Sequence, residues 1–291
     1  MTPTLVRHHP RKASTTASVS ASTDPAARAR DWAEIQERML VPLYEAVYEH
    51  LEVGPDSRVL GLGCGSGLAL LMASARGAGV TGVDTDPARI ALARERLTPE
   101  PDGARAAGAA GAARLVEGGP EEAADPTRAR FTMITAFHPI GCTAGDSEGL
   151  VPALEAAIPL AERGGAVVLA GWGPPERCST SAVLRVAARL TDRLRTGGGW
   201  RPTRRDDLED VATRAGLKPD GSGRVACPFG YADVDSAVRG LMSTGLFDAA
   251  VRATDPGQVE KEVAEALHAH VRADGAVWMP NVFRYLIART R

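Results

Sequence analysis

The order of the apolar segments predicts an α/β fold built on a parallel sheet. Strands are predicted at residues 58–62 and 80–83, and helices at residues 68–75 and 88–97. Alternation of this kind is typical of a parallel sheet with helices on both faces. Apolar residues make up 44% of the 291-residue chain, which is enough for a sizeable core. No apolar run reaches the roughly 18 residues that a membrane-spanning helix needs.

The remaining elements follow from the same periodicities. Apolar residues recur every three or four positions over residues 25–51, which predicts a helical stretch that Pro42 splits in two. Further strands are predicted at residues 113–116, 131–137 and 166–170, with a helix over residues 150–162. The C-terminal part is predicted to contain helices at residues 181–194, 206–215, 234–242 and 258–271 and strands at residues 225–229 and 282–288.

The composition predicts a tail followed by one domain. Residues 1–24 are dominated by Ser, Thr, Ala and Arg, and such a segment cannot bury enough apolar surface to offset its ordering entropy. We therefore expect residues 1–24 to be disordered and residues 25–291 to form a single domain. Within that domain, residues 25–52 are expected to be N-terminal helices, and residues 174–205 and 233–279 to be helical cap insertions.

Charge and cysteine spacing exclude several classes of function. The net charge of -2 gives no general electrostatic basis for binding a nucleic acid backbone. The four cysteines lie far apart without a CxxC pair, which suits neither a disulfide framework nor a zinc site. We therefore expect a cytoplasmic protein without a metal ion, with no nucleic acid or membrane partner, and present as a monomer or homodimer.

A glycine-rich turn follows the first predicted strand. Gly61, Gly63, Gly65 and Gly67 alternate with other residues up to the start of the next helix. Glycine lets a ligand approach the backbone N–H groups at the positive end of that helix. The second strand ends at Asp84, where a carboxylate can accept hydrogen bonds from both hydroxyls of a ribose.

The glycine spacing separates two classes of nucleotide site. A dinucleotide site requires G-x-G-x-x-G, but Ser66 or Leu68 stands at the third glycine in the two possible registers. The run Gly63-x-Gly65-x-Gly67, followed seventeen positions later by Asp84, instead resembles the first two motifs of class I S-adenosylmethionine-dependent methyltransferases.

Other segments extend this resemblance from about Asp31 to the C-terminus. Residues 31–44, 171–178, 227–229 and 280–285 resemble an actinobacterial branch of the small-molecule methyltransferases related to the ubiquinone/menaquinone-biosynthesis type. The resemblance implies a Rossmann-like seven-stranded sheet in which the two late strands form an antiparallel edge. It also implies S-adenosyl-L-methionine as cofactor and S-adenosyl-L-homocysteine as product.

The resemblance assigns cofactor-binding residues and exposes two departures. An acid usually opens the glycine motif, where this chain has Gly61, and another usually receives the adenine amino group, where this chain has Gly119. Glu121 or Glu122 can replace the second acid. The expected cofactor-binding residues are Gly61, Gly63, Cys64, Gly65, Gly67, Asp84, Thr85, Gly119, Pro120 and Phe137.

Residues after the strand ends are candidates for contact with an acceptor. His138 follows the fourth predicted strand and is the candidate general base, because an imidazole titrates near neutral pH; the alternative is a histidine that only packs or caps. Tyr44 and Tyr48 share one helix face, and Trp172 follows the fifth strand; each can line the acceptor site or simply pack. No aromatic residue falls between Tyr48 and Phe131, which predicts an aromatic acceptor pocket separate from the cofactor half.

These observations predict S-adenosylmethionine-dependent methyl transfer to a small, partly apolar metabolite, in bacterial secondary metabolism. The alternative is a non-methylating cyclase, isomerase or hydroxylase that uses the cofactor structurally, which the altered Gly61 and Gly119 positions favour. A binding protein without cofactor and an NAD-dependent dehydrogenase are less compatible with the glycines and Asp84.

Overall fold

The computed structural model of the chain describes residues 24–98, 113–142, 145–192 and 204–291. The predicted disordered tail therefore lies outside the described residues except for Asp24. The side chain of Asp24 accepts a hydrogen bond from the backbone N–H of Ala26 at 3.1 Å and caps the first helix. No helix in the described ranges has the length and apolar character needed to cross a bilayer.

The central sheet confirms the predicted fold class. The strands are β1 (Arg58–Leu62), β2 (Gly79–Asp84), β3 (Arg114–Glu117), β4 (Phe131–Ile140), β5 (Ala161–Trp172), β6 (Lys218–Ala226), β7 (Phe229–Tyr231), β8 (Val277–Met279) and β9 (Val282–Arg289). Within the described residues the sheet has seven strands in the order β3-β2-β1-β4-β5-β9-β6, and β1 to β5 are parallel. Strand β9 lies antiparallel between β5 and β6, so the two late strands form the antiparallel edge.

Helices cover both faces of the sheet. The α-helices are α1 (Pro25–Asp31), α2 (Val41–His50), α3 (Leu68–Ser74), α4 (Pro87–Leu97), α5 (Leu150–Ala157), α6 (Thr180–Asp192), α7 (Asp207–Arg214), α8 (Val234–Ser243), α9 (Asp248–Ala253) and α10 (Pro256–Leu267). Leu43 of α2 and Leu70 of α3 belong to the core on one face. Leu154 of α5 and Leu208 of α7 belong to the core on the other face. The strand order reverses between β1 and β4, which is where open α/β sheets bind ligands.

The N-terminal helical stretch changes its winding twice. A π turn (Trp32–Gln36) and a 3-10 turn (Glu37–Leu40) connect α1 to α2. Pro42 lies in the first turn of α2, where its missing N–H leaves no hydrogen bond unmade. A second helix therefore begins near Pro42 as predicted, but the π turn is not visible in the sequence pattern.

Several predicted elements were wrong at their ends, including the helix predicted over residues 258–271, which ends at Leu267. Two further cases involve a proline. The helix predicted over residues 150–162 ends at Ala157, since Pro159 supports only a 3-10 turn and residue 161 already pairs in β5. The strand predicted over residues 225–229 is broken, because β6 ends at Ala226 and β7 begins at Phe229. Between them, the backbone N–H of Cys227 donates to the carbonyl of Asn281, and Pro228 has no N–H to donate.

A helical layer lies beside the carboxyl ends of the parallel strands. Helices α6, α8, α9 and α10 pack against one another, and α8 also packs against α1 and the π turn. These four helices fall within the ranges predicted as cap insertions. A two-stranded ribbon of β7 and β8, which the sequence did not predict, pairs Phe229 with Met279 and fixes the base of this layer.

Two glycines of β2 offer a test of how tightly α3 packs on the sheet. A Cβ on Gly82 would lie 2.5 Å from Leu70 Cδ1 and 2.8 Å from Cys64 Sγ, whereas a Cβ on Gly79 meets nothing closer than 3.9 Å. We expect Gly82→Ala to lower the free energy of unfolding by about 1–3 kcal/mol through overpacking. Gly79→Ala should change it by less than about 1 kcal/mol. Urea denaturation of both variants measures the difference, and equal losses would contradict this packing.

Candidate functional site

The glycine turn forms a loop between β1 and α3 in which three glycines have left-handed backbone angles. Gly63, Gly65 and Gly67 have φ values of 57°, 58° and 79°, in the left-handed region that favours glycine. The backbone N–H of Cys64 donates to the carbonyl of Val83 at 3.0 Å, which ties the loop to the end of β2. These three positions therefore need glycine, because other residues rarely adopt such backbone angles.

The three glycines of this loop have different neighbours. A Cβ on Gly63 would meet nothing within 4 Å, so this part of the loop is open to a ligand. A Cβ on Gly65 would lie 3.0 Å from Trp32 Nε1 and 3.2 Å from Glu37 Oε1. A Cβ on Gly67 would lie 3.1 Å from Ala93 Cβ, so Gly67 allows close packing against α4.

The carboxylate of Asp84 lies beside the open part of the loop. Its Oδ2 accepts the backbone N–H of Gly65 at 2.8 Å, and its Oδ1 accepts the backbone N–H of Asp86 at 2.9 Å. Each oxygen keeps a further lone pair for a ligand. Asp84 and the exposed Thr85 line a cavity of about 430 Å³ between the end of β2 and helices α1, α8 and α9.

Glu37 is a site residue that the sequence interpretation missed. Its side chain is buried, and its Oε2 accepts hydrogen bonds from Ser66 Oγ and, at 2.9 Å, from Arg96. Its Oε1 accepts the backbone N–H of Leu68 at 3.4 Å. Burial raises the pKa of Glu37, while Ser66 and Arg96 act in the opposite direction. An α-helical pattern places Glu37 off the apolar face, so only the π turn brings it to the loop.

The structure accounts for the two departures from the expected motif. A Cβ on Gly61 would lie 3.1 Å from Leu70 Cδ2, so Leu70 fills the space of the usual acid. A Cβ on Gly119 would lie 2.5 Å from Glu121 Oε2 and 3.5 Å from Glu122 Oε2. Two carboxylates therefore lie at the end of β3, where the buried Pro120 begins a 3-10 turn.

His138 lies near the end of β4 between two small cavities. Its side chain lines both cavities and is also exposed to solvent. Desolvation lowers the pKa of His138 below its ordinary value of 6.5, and the positive charge of Arg89 lowers it further, against Asp146 and Asp84. The imidazole is therefore neutral at pH 7 and can accept a proton.

The aromatic residues form two groups around His138. On the glycine-loop side, the ring centroid of Phe137 lies 4.8 Å from that of Tyr44 and 5.8 Å from that of Tyr48. Tyr44 and Phe137 line the cavity there. Tyr48 is buried, and its hydroxyl donates to the carbonyl of Ala69 at 2.9 Å. This contact is expected if Tyr48 packs in the core and does not line the acceptor site.

The second aromatic group lies on the other side of His138. The ring centroid of Trp172 lies 4.6 Å from that of Phe283 and 6.0 Å from that of Phe229. All three line an apolar cavity that also contacts Leu241 of α8. The cavities on the two sides of His138 have volumes of about 30 Å³ each, too small for a metabolite. A metabolite could therefore bind beside His138 only if these two cavities widened.

The described residues support neither a reactive thiol in the glycine loop nor a metal site. Burial raises the pKa of the Cys64 thiol to about 12, so Cys64 carries no thiolate at neutral pH and acts as a small filler in the loop. Across the described ranges, no three His, Cys, Asp or Glu side chains are grouped so that they could hold a metal ion.

Comparison with known proteins identifies the fold. Residues 60–135 match a family profile described as a methyltransferase domain. The chain resembles, at 15% identity and a TM-score of 0.52, a Bacillus halodurans protein described as a candidate methyltransferase, over 85% of this chain and 98% of that one.

Two further solved structures show the same likeness. YcgJ from Bacillus subtilis has 15% identity and a TM-score of 0.51, over 85% of this chain and 97% of that one. YjhP from E. coli has 18% identity and a TM-score of 0.50, over 91% of this chain and 99% of that one. No curated protein sequence matches the chain significantly. The chain thus has the Rossmann-like methyltransferase fold.

The lowered pKa of His138 predicts a pH-dependent stability. Below pH 6.5 the unfolded chain binds a proton at this residue that the native protein does not, so stability falls as the pH falls through about 6.5. His138→Gln removes this contribution, whereas the lowered pKa of His270 acts equally in both proteins. Urea denaturation between about pH 7.5 and 5.5 should show wild type losing more stability than His138→Gln. Parallel curves would contradict the lowered pKa of His138 in the native protein.

Proposed function

We propose that this protein transfers a methyl group from S-adenosyl-L-methionine to a small, partly apolar metabolite in bacterial secondary metabolism. The observation that carries the proposal is the open backbone at Gly63 beside the buried carboxylate of Asp84. Both lie at the carboxyl ends of adjacent parallel strands, in a chain with the methyltransferase fold. The match of residues 60–135 to a methyltransferase domain supports the same function.

The residues of the site fit such a cofactor in three places. The spare lone pairs of Asp84 suit the two ribose hydroxyls, and the loop around Gly63 lets the ligand approach backbone N–H groups. At the end of β3, the carboxylates of Glu121 and Glu122 suit the adenine amino group. Phe137 adds an apolar wall to the cavity on the loop side.

The cofactor supplies an electrophilic methyl group, and the chain's own residues must align the acceptor and manage its proton. The cavity beside Trp172, Phe229 and Phe283 would hold an apolar acceptor against one side of His138. Because the imidazole is neutral, it can take a proton from an acceptor hydroxyl or ring N–H. Alignment of the two reactants supplies most of the remaining rate enhancement.

The cellular setting is part of the proposal. The four cysteines are free thiols, which agrees with action in a reducing cytoplasm. We infer a monomer or a homodimer that acts on a free small molecule, without a nucleic acid or membrane partner.

Asp84 offers the first test of cofactor binding. We expect Asp84→Asn to weaken binding of S-adenosyl-L-homocysteine about 10- to 100-fold, because a carboxamide loses the charge and one acceptor oxygen. Isothermal titration calorimetry measures the change. The control Asp125→Asn makes the same substitution in a half-buried aspartate near the amino ends of the parallel strands, and should bind like wild type. If wild type shows no binding at millimolar concentration, the proposed function is wrong.

Transfer itself requires a separate measurement. Incubation with methyl-labelled cofactor and a panel of hydroxylated apolar metabolites should yield a labelled product. Cofactor binding with conversion of a metabolite but no transferred label would instead favour a non-methylating enzyme. The structural reason to consider this alternative is that Leu70 fills the space beside Gly61 that the usual acidic side chain would occupy.

His138 can be tested once an acceptor is found. We expect His138→Gln to lower kcat about 10²- to 10⁴-fold, because the side chain would no longer accept a proton. Binding of S-adenosyl-L-homocysteine should stay within about threefold of wild type, since proton transfer plays no part in it. Unchanged turnover with an unchanged pH profile would show that His138 only packs against the ligands.

A further inference from the structure

The indole N–H of Trp32 is a buried donor without a partner. Trp32 is 6% exposed, and its Nε1 makes no hydrogen bond in the structure. A buried donor left unsatisfied costs free energy, so its presence beside a cavity calls for an acceptor from a ligand. The Nε1 atom lies 3.0 Å from the position that a Cβ on Gly65 would occupy, directly over the glycine loop.

Glu37 presents an acceptor at the same place. Its Oε2 is held by Ser66 and Arg96, while its Oε1 receives a long bond of 3.4 Å from the backbone N–H of Leu68. This Oε1 lies 3.2 Å from the same Cβ position on Gly65. One oxygen of the carboxylate is thus fixed by the protein, and the other keeps capacity for a ligand.

The π turn brings these two side chains together. In an α-helix, residues five positions apart point about 140° away from each other around the axis. Here the backbone N–H of Glu37 donates to the carbonyl of Trp32, which closes an i to i+5 turn and places both residues over Gly65. π turns within helices frequently occur at functional sites.

The charges around this pair match one kind of ligand group. Trp32 and Glu37 line the cavity on the glycine-loop side, and so does Arg89. The guanidinium of Arg89 lies 4.7 Å from the centroid of the Trp32 ring, on the side of the helical layer. An N–H donor beside a guanidinium suits a carboxylate, and a buried carboxylate suits an ammonium.

We propose that Trp32 and Glu37 bind the α-amino acid group of the cofactor, an inference that rests on the proposed function. Glu37 Oε1 accepts from the ammonium, and Trp32 Nε1 donates to the carboxylate. This pair supplies the polar contacts that Gly61, packed against Leu70, does not provide. The group enters between the π turn and Gly65 when the cavity opens.

Two ligands that differ only in this group provide the test. S-Adenosyl-L-homocysteine carries the amino acid group, whereas 5′-methylthioadenosine keeps the adenosine and the sulfur without it. We expect Trp32→Phe to weaken binding of the first ligand about 10-fold or more, and binding of the second by less than about twofold. Glu37→Gln also removes a charge that holds the loop, so it should weaken binding of the first ligand about 10-fold more than binding of the second. Isothermal titration calorimetry on the full chain measures the affinity of each variant for each ligand.

Trp278→Phe is the matched control. Trp278 is exposed and also lies under a guanidinium, that of Arg272 at 4.5 Å, but it is far from the glycine loop in the β7–β8 ribbon. The Trp278→Phe variant should bind both ligands with the affinity of wild type. Thermal unfolding of each variant checks the fold independently of ligand.

The outcomes separate the possible errors. Equal weakening of both ligands would show that the pair only braces the loop, and unchanged binding of S-adenosyl-L-homocysteine would show that it makes no contact; either result overturns the inference. Failure of both ligands to bind wild type would overturn the proposed function itself. A loss confined to S-adenosyl-L-homocysteine would support amino acid recognition.

Discussion

The buried carboxylate of Glu37 is the contact on which the candidate site depends. Removing a charge from water costs several kcal/mol, and this cost is offset only by good geometry and hydrogen bonds. Arg96 of α4 and Ser66 of the glycine loop provide them, so one side chain joins the N-terminal helical stretch, the loop and α4. With Ser66 held from one side and Gly65 bonded to Asp84 from the other, the loop is fixed in the shape that leaves Gly63 open.

The same N-terminal stretch also anchors the helical layer. Asp31 pairs with Arg239 of α8 at 3.7 Å, and Arg28 pairs with Asp248 of α9 at 2.7 Å. Such partly exposed pairs contribute little stability individually, so they hold the layer in place without locking it. This balance suits a site in which the cavity at Asp84 is already open, whereas the two small cavities beside His138 must widen to admit an acceptor.

Local patterns were sufficient to predict the five parallel strands but not the walls of the site. Strands β1 to β5 and the glycine loop follow from apolar periodicity and glycine spacing, which are properties of neighbouring residues. The β7–β8 ribbon depends on the contact between Cys227 and Asn281, which are distant in sequence. Trp32 fitted the apolar face of a regular helix, so its role at the loop was hidden. A π turn leaves no periodic signal, and Glu37 was therefore missed.

The uneven distribution of aromatic residues follows from the two kinds of wall that the site needs. In the glycine loop itself, the backbone is open at Gly63, and the close contact of Gly67 with Ala93 excludes a larger side chain at that position. Beyond His138, the wall consists of side chains alone, and the tilted rings of Trp172 and Phe283 provide a rigid apolar surface. Trp32, Leu40 and His138 contact both cavities, so they form the boundary at which two bound ligands would meet. Arg89 contacts Trp32, Asp86 and the carbonyl of Ser243 in α8, so this one side chain joins the boundary between the two cavities to the helical layer.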